Sequence, residues 1–126
     1  MASKYTKLKI PSGAAAVGGG ATGSADIAVR GRVHAIDLVY GSGSAAATDV
    51  SITDNLGQTL LSVNNNNTTA RFYPRTPVAD YTNTVVTFDG TNEIYEPFFV
   101  YGILGITVAN QTAAKEVDAY AYVEEF

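Results

Sequence analysis

Short runs of β-branched and aromatic residues, separated by Gly, Asn and Pro, make up most of this 126-residue chain. Thr, Val, Ile, Tyr and Phe fit a pleated, half-buried surface, whereas Gly, Asn and Pro favour turns. Sustained runs of strong helix formers are missing. A chain of this length buries roughly two-thirds of the surface that its unfolded form exposes, which allows one core. The pattern therefore predicts a single all-β domain.

Alternation of apolar and polar residues marks the individual strands. Residues 4–10 place Leu8 and Ile10 on one face and lysines on the other, and residues 117–123 alternate in the same way. Residues 26–40 alternate too, but the apolar parity changes between Ala35 and Ile36. Such a change predicts a β-bulge or a bend between two sheets.

Turn residues connect these runs. Residues 50–52 and 59–63 predict a hairpin across the turn at 54–57, and Asp89-Gly90 predicts another between residues 85–88 and 93–95. Residues 103–108 look apolar on both parities, which is expected of a strand that is buried on both faces or lies at a subunit contact. In all, about eight antiparallel strands are predicted, the number in a jelly-roll-like sandwich.

Residues 11–25 consist almost wholly of Gly, Ala and Ser, and we expect a flexible linker there. The chain then divides into an N-terminal arm and linker, residues 1–25, and a sandwich domain, residues 26–126. Two alternatives remain for the strand in residues 4–10: it docks on a neighbour, or it is the first strand of its own sandwich. Pro11 and the glycines argue against a signal peptide, so a mature N-terminus is expected.

Charge and composition exclude several classes of partner. Charged residues make up 16% of the chain, the net charge is −4 and the pI is about 4.7. Binding to nucleic acid or to an anionic membrane needs a basic face, so neither partner is expected. No apolar run approaches the ~20 residues of a membrane helix. The absence of Cys excludes disulfides and thiolate metal sites.

Catalytic chemistry is not indicated. His34 is the only histidine, and no nucleophile lies in a recognisable motif beside it, so a strand histidine with local hydrogen bonds is expected. Turn chemistry explains the aspartates, and a solvated hairpin edge explains Glu93 and Glu96. The run 18–23 lacks the Lys-Ser/Thr ending of a phosphate loop. We therefore expect no enzyme, no cofactor and no metal site.

Two aromatic clusters, residues 72–75 and 95–99, favour either a core next to chain-turning prolines or a contact surface. Tyr, Phe and Arg are enriched in the centres of protein interfaces. The candidate interface residues are Tyr5, Leu8, Ile10, Phe72, Tyr73, Arg75, Tyr95, Phe98, Phe99, Ile103 and Ile106.

Five segments resemble, in pattern and order, the head decoration (cement) proteins of tailed bacteriophages. They are GRVHAIDL at 31–38, TDVSITD at 48–54, FYPR at 72–75, YEPF at 95–98 and ITVAN at 106–110. The resemblance covers most of residues 27–123. It implies a jelly-roll-like sandwich and a homotrimer on the capsid surface.

From this resemblance we expect a virion structural protein, made in the host cytoplasm, that binds the major capsid protein on the outer surface of a phage head and stabilises the shell. The alternative is a carbohydrate-binding or host-attachment module, because sandwich folds serve both roles. Sugar sites usually expose aromatic platforms, often Trp, and this chain has no Trp.

Overall fold

The computed structural model describes residues 4–15 and 19–126, and within them the chain forms eleven strands and no helix. The strands are β1 (Lys4–Pro11), β2 (Ala21–Ser24), β3 (Val29–Tyr40), β4 (Asp49–Thr53), β5 (Thr59–Val63), β6 (Ala70–Phe72), β7 (Thr76–Pro77), β8 (Tyr95–Glu96), β9 (Phe98–Gly102), β10 (Gly105–Ala109) and β11 (Val117–Glu125). These strands pair antiparallel. The predicted all-β sandwich is therefore confirmed.

Two sheets form the body of the molecule. Sheet A has the order β1-β11-β3-β6, and β9 pairs with β3 as well. Within β3, residues 29–33 pair with β9 and residues 36–38 pair with β6. Sheet B has the order β2-β10-β4-β5, while β7 and β8 form a separate two-stranded ladder.

The strand pairs are nested along the chain. The innermost pair is the hairpin β4–β5. The segments on either side of it pair next, as β3 pairs with β6 and β9. The next pair outward is β2 with β10, and the outermost is β1 with β11. Successive pairs alternate between sheet B and sheet A. The order is that of one long antiparallel hairpin rolled into two layers.

The core lies between the two sheets, and every second side chain of their strands points into it. Each fully buried aliphatic side chain stabilises the fold by about 1.5–3 kcal/mol. In β11 the predicted inward residues are all buried, and the tyrosines between them face outward. The largest aliphatic side chains that are fully buried are Ile10, Val33, Ile36, Leu38, Val50, Ile52, Val100, Leu104, Ile106, Val108 and Val117.

Strand β1 belongs to its own sandwich. It pairs with β11 along its whole length, and Leu8 and Ile10 are buried in the core. Of the two alternatives for residues 4–10, the first-strand interpretation is therefore correct and docking on a neighbour is not. The N-terminal arm is thus part of sheet A rather than separate from the sandwich.

The prediction of a linker over residues 11–25 is wrong for β2, which pairs with β10 in sheet B. A Cβ at Gly23 would lie 1.9 Å from the carbonyl oxygen of Pro11, so only glycine permits this approach of β2 to the end of β1. Small residues here allow close backbone packing. Residues 16–18, also within the predicted linker, lie outside the described residues.

The parity change in β3 is a β-bulge, as predicted. Tyr122 lies opposite Ala35 and Val123 opposite Val33, so His34 has no residue opposite it. Odd-numbered residues are buried from Val29 to Ala35, and even-numbered residues are buried from Ile36 to Tyr40. The bulge keeps both halves of this twelve-residue strand facing the core.

Two other expectations need correction. Residues 85–88 do not form a regular strand, because only the isolated bridges Ala79–Val85 and Thr87–Glu93 are present there. The predicted turn at Asp89-Gly90 is present. Residues 103–108 are not buried on both faces: Leu104, Ile106 and Val108 are buried, whereas Ile103 is 44% exposed. Gly105 and Thr107 take the outward positions, so the segment alternates after all.

Candidate functional site

The solvent face of sheet A combines basic and aromatic side chains. In the strands of sheet A, more buried residues alternate with more exposed ones, so the more exposed residues of β1, β3, β6, β9 and β11 project outward on one face. Pairing places Tyr5, Glu124, Arg32 and Phe99 in one row across four strands. We call this surface the basic aromatic face; it consists of Tyr5, Lys7, Lys9, Arg30, Arg32, Asp37, Arg71, Phe99, Tyr101, Asp118, Tyr120, Tyr122, Glu124 and Phe126.

Cations on this face lie over aromatic rings. The Nζ atom of Lys7 is 4.8 Å from the ring centroid of Tyr120, and the guanidinium of Arg71 is 4.9 Å from that of Tyr122. The Arg32 guanidinium is 5.3 Å from the Phe126 ring, which stacks on Phe99 at 6.4 Å. Each exposed contact of this kind contributes about 0.5–1 kcal/mol. The face is thus held together by its own side chains.

Asp37 is the main acceptor within the face. Its two carboxylate oxygens accept hydrogen bonds from Arg71 at 2.6 and 3.0 Å, and the Tyr122 hydroxyl donates a third at 2.9 Å. The hydrogen bond from Arg71 lowers the pKa of Asp37 below its ordinary value, against the opposing effect of burial. The same pair raises the pKa of Arg71, so both groups stay charged.

His34 lies at the bulge on the same side of sheet A. Its Nε2 is 2.9 Å from Oε1 of Glu124, and its ring centroid is 6.4 Å from that of Tyr5. The Arg75 guanidinium donates a hydrogen bond to the His34 carbonyl oxygen at 3.1 Å. These are the local hydrogen bonds expected of a strand histidine. In the described part of the chain, no hydroxyl is hydrogen-bonded to the imidazole.

Between β6 and β9 the chain leaves sheet A and forms a projection, residues 76–96, which we call the 76–96 arm. A closed ring of backbone hydrogen bonds holds it together: the N–H of Val78 donates to Ile94, that of Ile94 to Val86, and that of Val86 to Val78, at 2.7, 3.4 and 2.8 Å. Three segments are thus tied to one another without a hydrophobic core beneath them.

Two aspartate turns shape the 76–96 arm. Asp80 accepts from the hydroxyl and N–H of Thr82 and from the N–H of Thr84, and Asp89 accepts from the N–H groups of Thr91 and Asn92. These hydrogen bonds favour the ionised form and lower the pKa of each carboxyl. The hydrogen bonds of the two turns are therefore made by ionised aspartates at neutral pH.

The 76–96 arm is acidic and exposes aromatic rings. It contains Asp80, Asp89, Glu93 and Glu96 and no Lys or Arg. Tyr81 is fully exposed and Phe88 is 70% exposed. Among residues 4–15 and 19–126, the hydrogen bonds of the arm are all made within it, and none of its carboxylates is in an ion pair with a Lys or Arg.

The candidate interface residues divide into three groups. Leu8, Ile10 and Ile106 are corrected to core residues, because their alternation turns them toward the opposite sheet. Phe72 and Phe98 are half-buried against that core. The remaining candidates, Tyr5, Tyr73, Arg75, Tyr95, Phe99 and Ile103, are exposed.

Several residues of the basic aromatic face are not among the predicted interface residues. Lys7, Arg30, Tyr101 and Tyr122 join the basic aromatic face only because β1, β3, β9 and β11 lie side by side. Alternation along each strand could have indicated that these residues face solvent, since each of them lies next to a buried residue. Sequence alone does not show which strands are neighbours.

Sheet B presents a different outer face. Pairing places Thr22, Thr107, Ser51 and Ser62 in one row across its four strands. This row carries no charge and no ring. The two faces of the sandwich therefore differ in chemistry, with cations and aromatics on one and small hydroxyls on the other.

One end of the sandwich exposes aliphatic side chains. The Ile103 N–H donates to the Asn55 side chain at 3.3 Å, and the Ala25 N–H donates to the Leu104 carbonyl at 2.9 Å. These bonds bring Ile27, Leu56 and Ile103, all exposed, to the same end. We call these three residues the apolar end. A shallow cavity of about 370 Å³ opens nearby, lined partly by Val29, Arg30, Tyr101 and Phe126.

No group of three His, Asp or Glu side chains that could hold a metal ion is found in the described part of the chain. Nor do the described residues include a helix that is long and apolar enough to cross a membrane. A scan against models of known protein families found no match. Searches of curated proteins and of solved structures found no match either.

Proposed function

We propose that this chain is a virion structural protein that binds the outer surface of a phage head and stabilises the shell. The resemblance of five segments to head decoration proteins suggests this role. The antiparallel pairing of nested strands in two sheets supports it, because the resemblance implies a sandwich of the jelly-roll type. On this proposal the chain acts by binding and not by catalysis.

The observation that carries the proposal is the number of surfaces suited to contact on so small a domain. The basic aromatic face, the 76–96 arm and the apolar end all expose large apolar side chains. Such patches on a small domain indicate sites of association with other proteins. A domain that joins copies to one another and to a shell needs more than one surface of this kind.

The apolar end is our candidate for the contact with the major capsid protein. Ile27, Leu56 and Ile103 are aliphatic and exposed, and the hydrogen bonds Ile103–Asn55 and Ala25–Leu104 bring their segments to the same end of the sandwich. Burial across a seam between shell subunits would stabilise the shell by about 25 cal/mol for each Å² of apolar surface removed from water. Added burial at seams resists internal pressure.

The test is binding to heads of the phage that encodes the chain, followed by electron microscopy of the particles. We expect density for the chain on the outer surface and greater resistance of the heads to heat. Leu56→Asp and Ile103→Asp should weaken binding, whereas Ser62→Asp, which adds the same charge on sheet B, should not. Heads that bind neither the wild type nor any variant would contradict the proposal.

A carbohydrate-binding or host-attachment module is the second candidate. It is favoured by exposed rings beside cations, such as Tyr101 opposite Arg30 in the pairing of β9 with β3. Aromatic platforms of this kind stack on sugar rings. A glycan array separates the two candidates, because specific binding that is lost in Tyr101→Ala would favour attachment.

A further inference from the structure

The 76–96 arm and the basic aromatic face have opposite charge, and both expose aromatic rings. We propose that the 76–96 arm of one copy docks on the basic aromatic face of a second copy. This contact concerns the purified protein alone and does not depend on the proposed role in a virion.

On the arm, the charge is uniform and unpaired. Its four carboxylates meet no Lys or Arg in the described residues, although the chain as a whole has eight basic residues. Tyr81 and Phe88 project into solvent beside these carboxylates. The ring of three backbone hydrogen bonds holds the arm in shape before any partner binds. Such preorganisation lowers the entropic cost of association.

On the face, basic residues outnumber acidic ones although the whole chain is acidic. The face has five basic residues and three acidic ones. The basic residues are Lys7, Lys9, Arg30, Arg32 and Arg71, and the acidic residues are Asp37, Asp118 and Glu124. Five of the eight basic residues of the chain are therefore gathered on one side of sheet A. Tyr5, at 73% exposure, and Tyr101 offer ring surface between the cations. Tyr and Arg are the residues most often found at the energetic centres of interfaces.

The two surfaces do not satisfy each other within one chain. In the described part of the chain, the hydrogen bonds of the arm stay inside it. The ion pairs found there on the face, Lys9–Asp118, His34–Glu124 and Arg71–Asp37, join residues of sheet A. A contact between two different surfaces is heterologous, so it joins copies head to tail. Opposite charge at the two surfaces steers such an encounter and fixes its orientation.

The first test is light scattering on the full chain with charge reversals. The wild type should exceed its monomer mass of 13.2 kDa. Glu96→Lys on the arm and Lys7→Glu on the face should each weaken self-association about tenfold, because each replaces attraction by repulsion. The matched controls, Glu116→Lys and Lys115→Glu, make the same charge changes outside both surfaces and should leave the association constant unchanged. Thermal melts check that every variant is folded.

The combined variant Glu96→Lys/Lys7→Glu gives the sharper result. If the arm meets the face, the swapped charges attract again, and self-association should recover relative to either single variant. Carbodiimide coupling gives a direct readout, because it joins carboxylates to lysine amines in contact. A mixture of isotope-labelled and unlabelled chains should yield cross-links between copies that join Glu93 or Glu96 to Lys7 or Lys9.

Three outcomes would overturn the proposal. The first is a wild-type mass of one monomer at every soluble concentration. The second is an oligomer that neither Glu96→Lys nor Lys7→Glu weakens. The third is a combined variant that associates no better than the single ones, with cross-links between copies that avoid the arm. None of these outcomes concerns binding to phage heads. The proposed contact between copies and the proposed virion role can therefore be contradicted independently of each other.

Discussion

Asp37 shows how single residues keep the outer face of sheet A in place. Its carboxylate joins Arg71 on β6 to Tyr122 on β11, across the strand that carries it. Arg71 also lies over the Tyr122 ring, so the three side chains form one network. The network orders side chains that are 34 and 85 residues away from Asp37 in the sequence. A charged group thus contributes to the fold as well as to the surface.

The first prediction concerns the pH dependence of this network. The pKa of Asp37 is lowered in the folded state, so its contribution to the free energy of unfolding is present above about pH 4 and is lost as the pH falls through the lowered value. Asp37→Asn should reduce the free energy of unfolding by about 1 kcal/mol at neutral pH. Denaturant titrations at several pH values should show the difference from wild type shrinking in acid. A difference that is constant over the whole range would count against this network.

Gly23 places a second single-residue constraint on the fold. It has no room for a Cβ beside the Pro11 carbonyl, whereas a Cβ at Gly20 would come no closer than 3.8 Å to a neighbouring atom. Both glycines lie in the segment that composition alone predicts to be a linker. Their environments differ because Gly23 is in β2 and Gly20 precedes it.

The second prediction uses these two glycines as a matched pair. Gly23→Ala should lower the free energy of unfolding by about 2 kcal/mol, because the methyl group forces β1 and β2 apart. Gly20→Ala should change it by less than about 0.5 kcal/mol. Denaturation curves of the two variants give the comparison. Equal stability in both would mean that residues 20–23 behave as a linker after all.

At the scale of elements, the 76–96 arm is separable from the sandwich. Within residues 4–15 and 19–126 its hydrogen bonds are internal, and β7 and β8 close its base by pairing Pro77 with Tyr95. Strands β6 and β9 on either side are anchored independently to β3. The sandwich therefore does not need the arm to complete its core.

The third prediction follows from this separation. Replacing residues 78–94 with Asn-Gly joins the paired residues Pro77 and Tyr95 by a two-residue hairpin turn. The shortened chain should melt within about 5 °C of the wild type, because no core residue is removed. It should also lose self-association if the arm provides that contact. Calorimetry measures the first effect and light scattering the second, and a large loss of stability would show that the arm supports the sandwich.

At the scale of the whole molecule, the charge is unevenly distributed. The chain carries a net charge of −4, but the arm alone holds four of its twelve acidic residues, while five of eight basic residues lie on the basic aromatic face. The opposite sheet face presents a row of small hydroxyls. The molecule therefore presents at least three surfaces of different chemistry to solvent: an acidic arm, a basic aromatic face and a face with a row of hydroxyls.

The fourth prediction is catalytic silence. His34 is hydrogen-bonded to Glu124, and Glu93 accepts a hydrogen bond from the Tyr95 hydroxyl, so a local hydrogen bond holds each side chain. His34→Ala and Glu93→Gln should alter stability at most. Assays of ester, peptide and glycan hydrolysis by the purified protein provide the measurement. Activity that disappears in either variant would overturn the prediction.

The local features of the fold could be predicted from the amino-acid sequence. Alternation in residues 117–123 predicted which side chains of β11 are buried, the parity change after Ala35 predicted the bulge, and turn residues predicted the β4–β5 hairpin. These features depend on neighbours within a few residues, because side-chain alternation and turn geometry are properties of short segments. They needed no knowledge of which strands pair.

The neighbours of each strand, and the side chains that share an outer face, follow from long-range pairing and could not be predicted. β1 meets β11 across more than 100 residues, β2 arises in a glycine-rich segment through pairing with β10, and Lys7 meets Tyr120 only through that arrangement. Long-range pairing also explains why Ile106 is a core residue, since β10 lies between β2 and β4 in sheet B. Long-range pairing is selected by the shared core, whose energy is a property of all the strands together, so no local pattern reveals it.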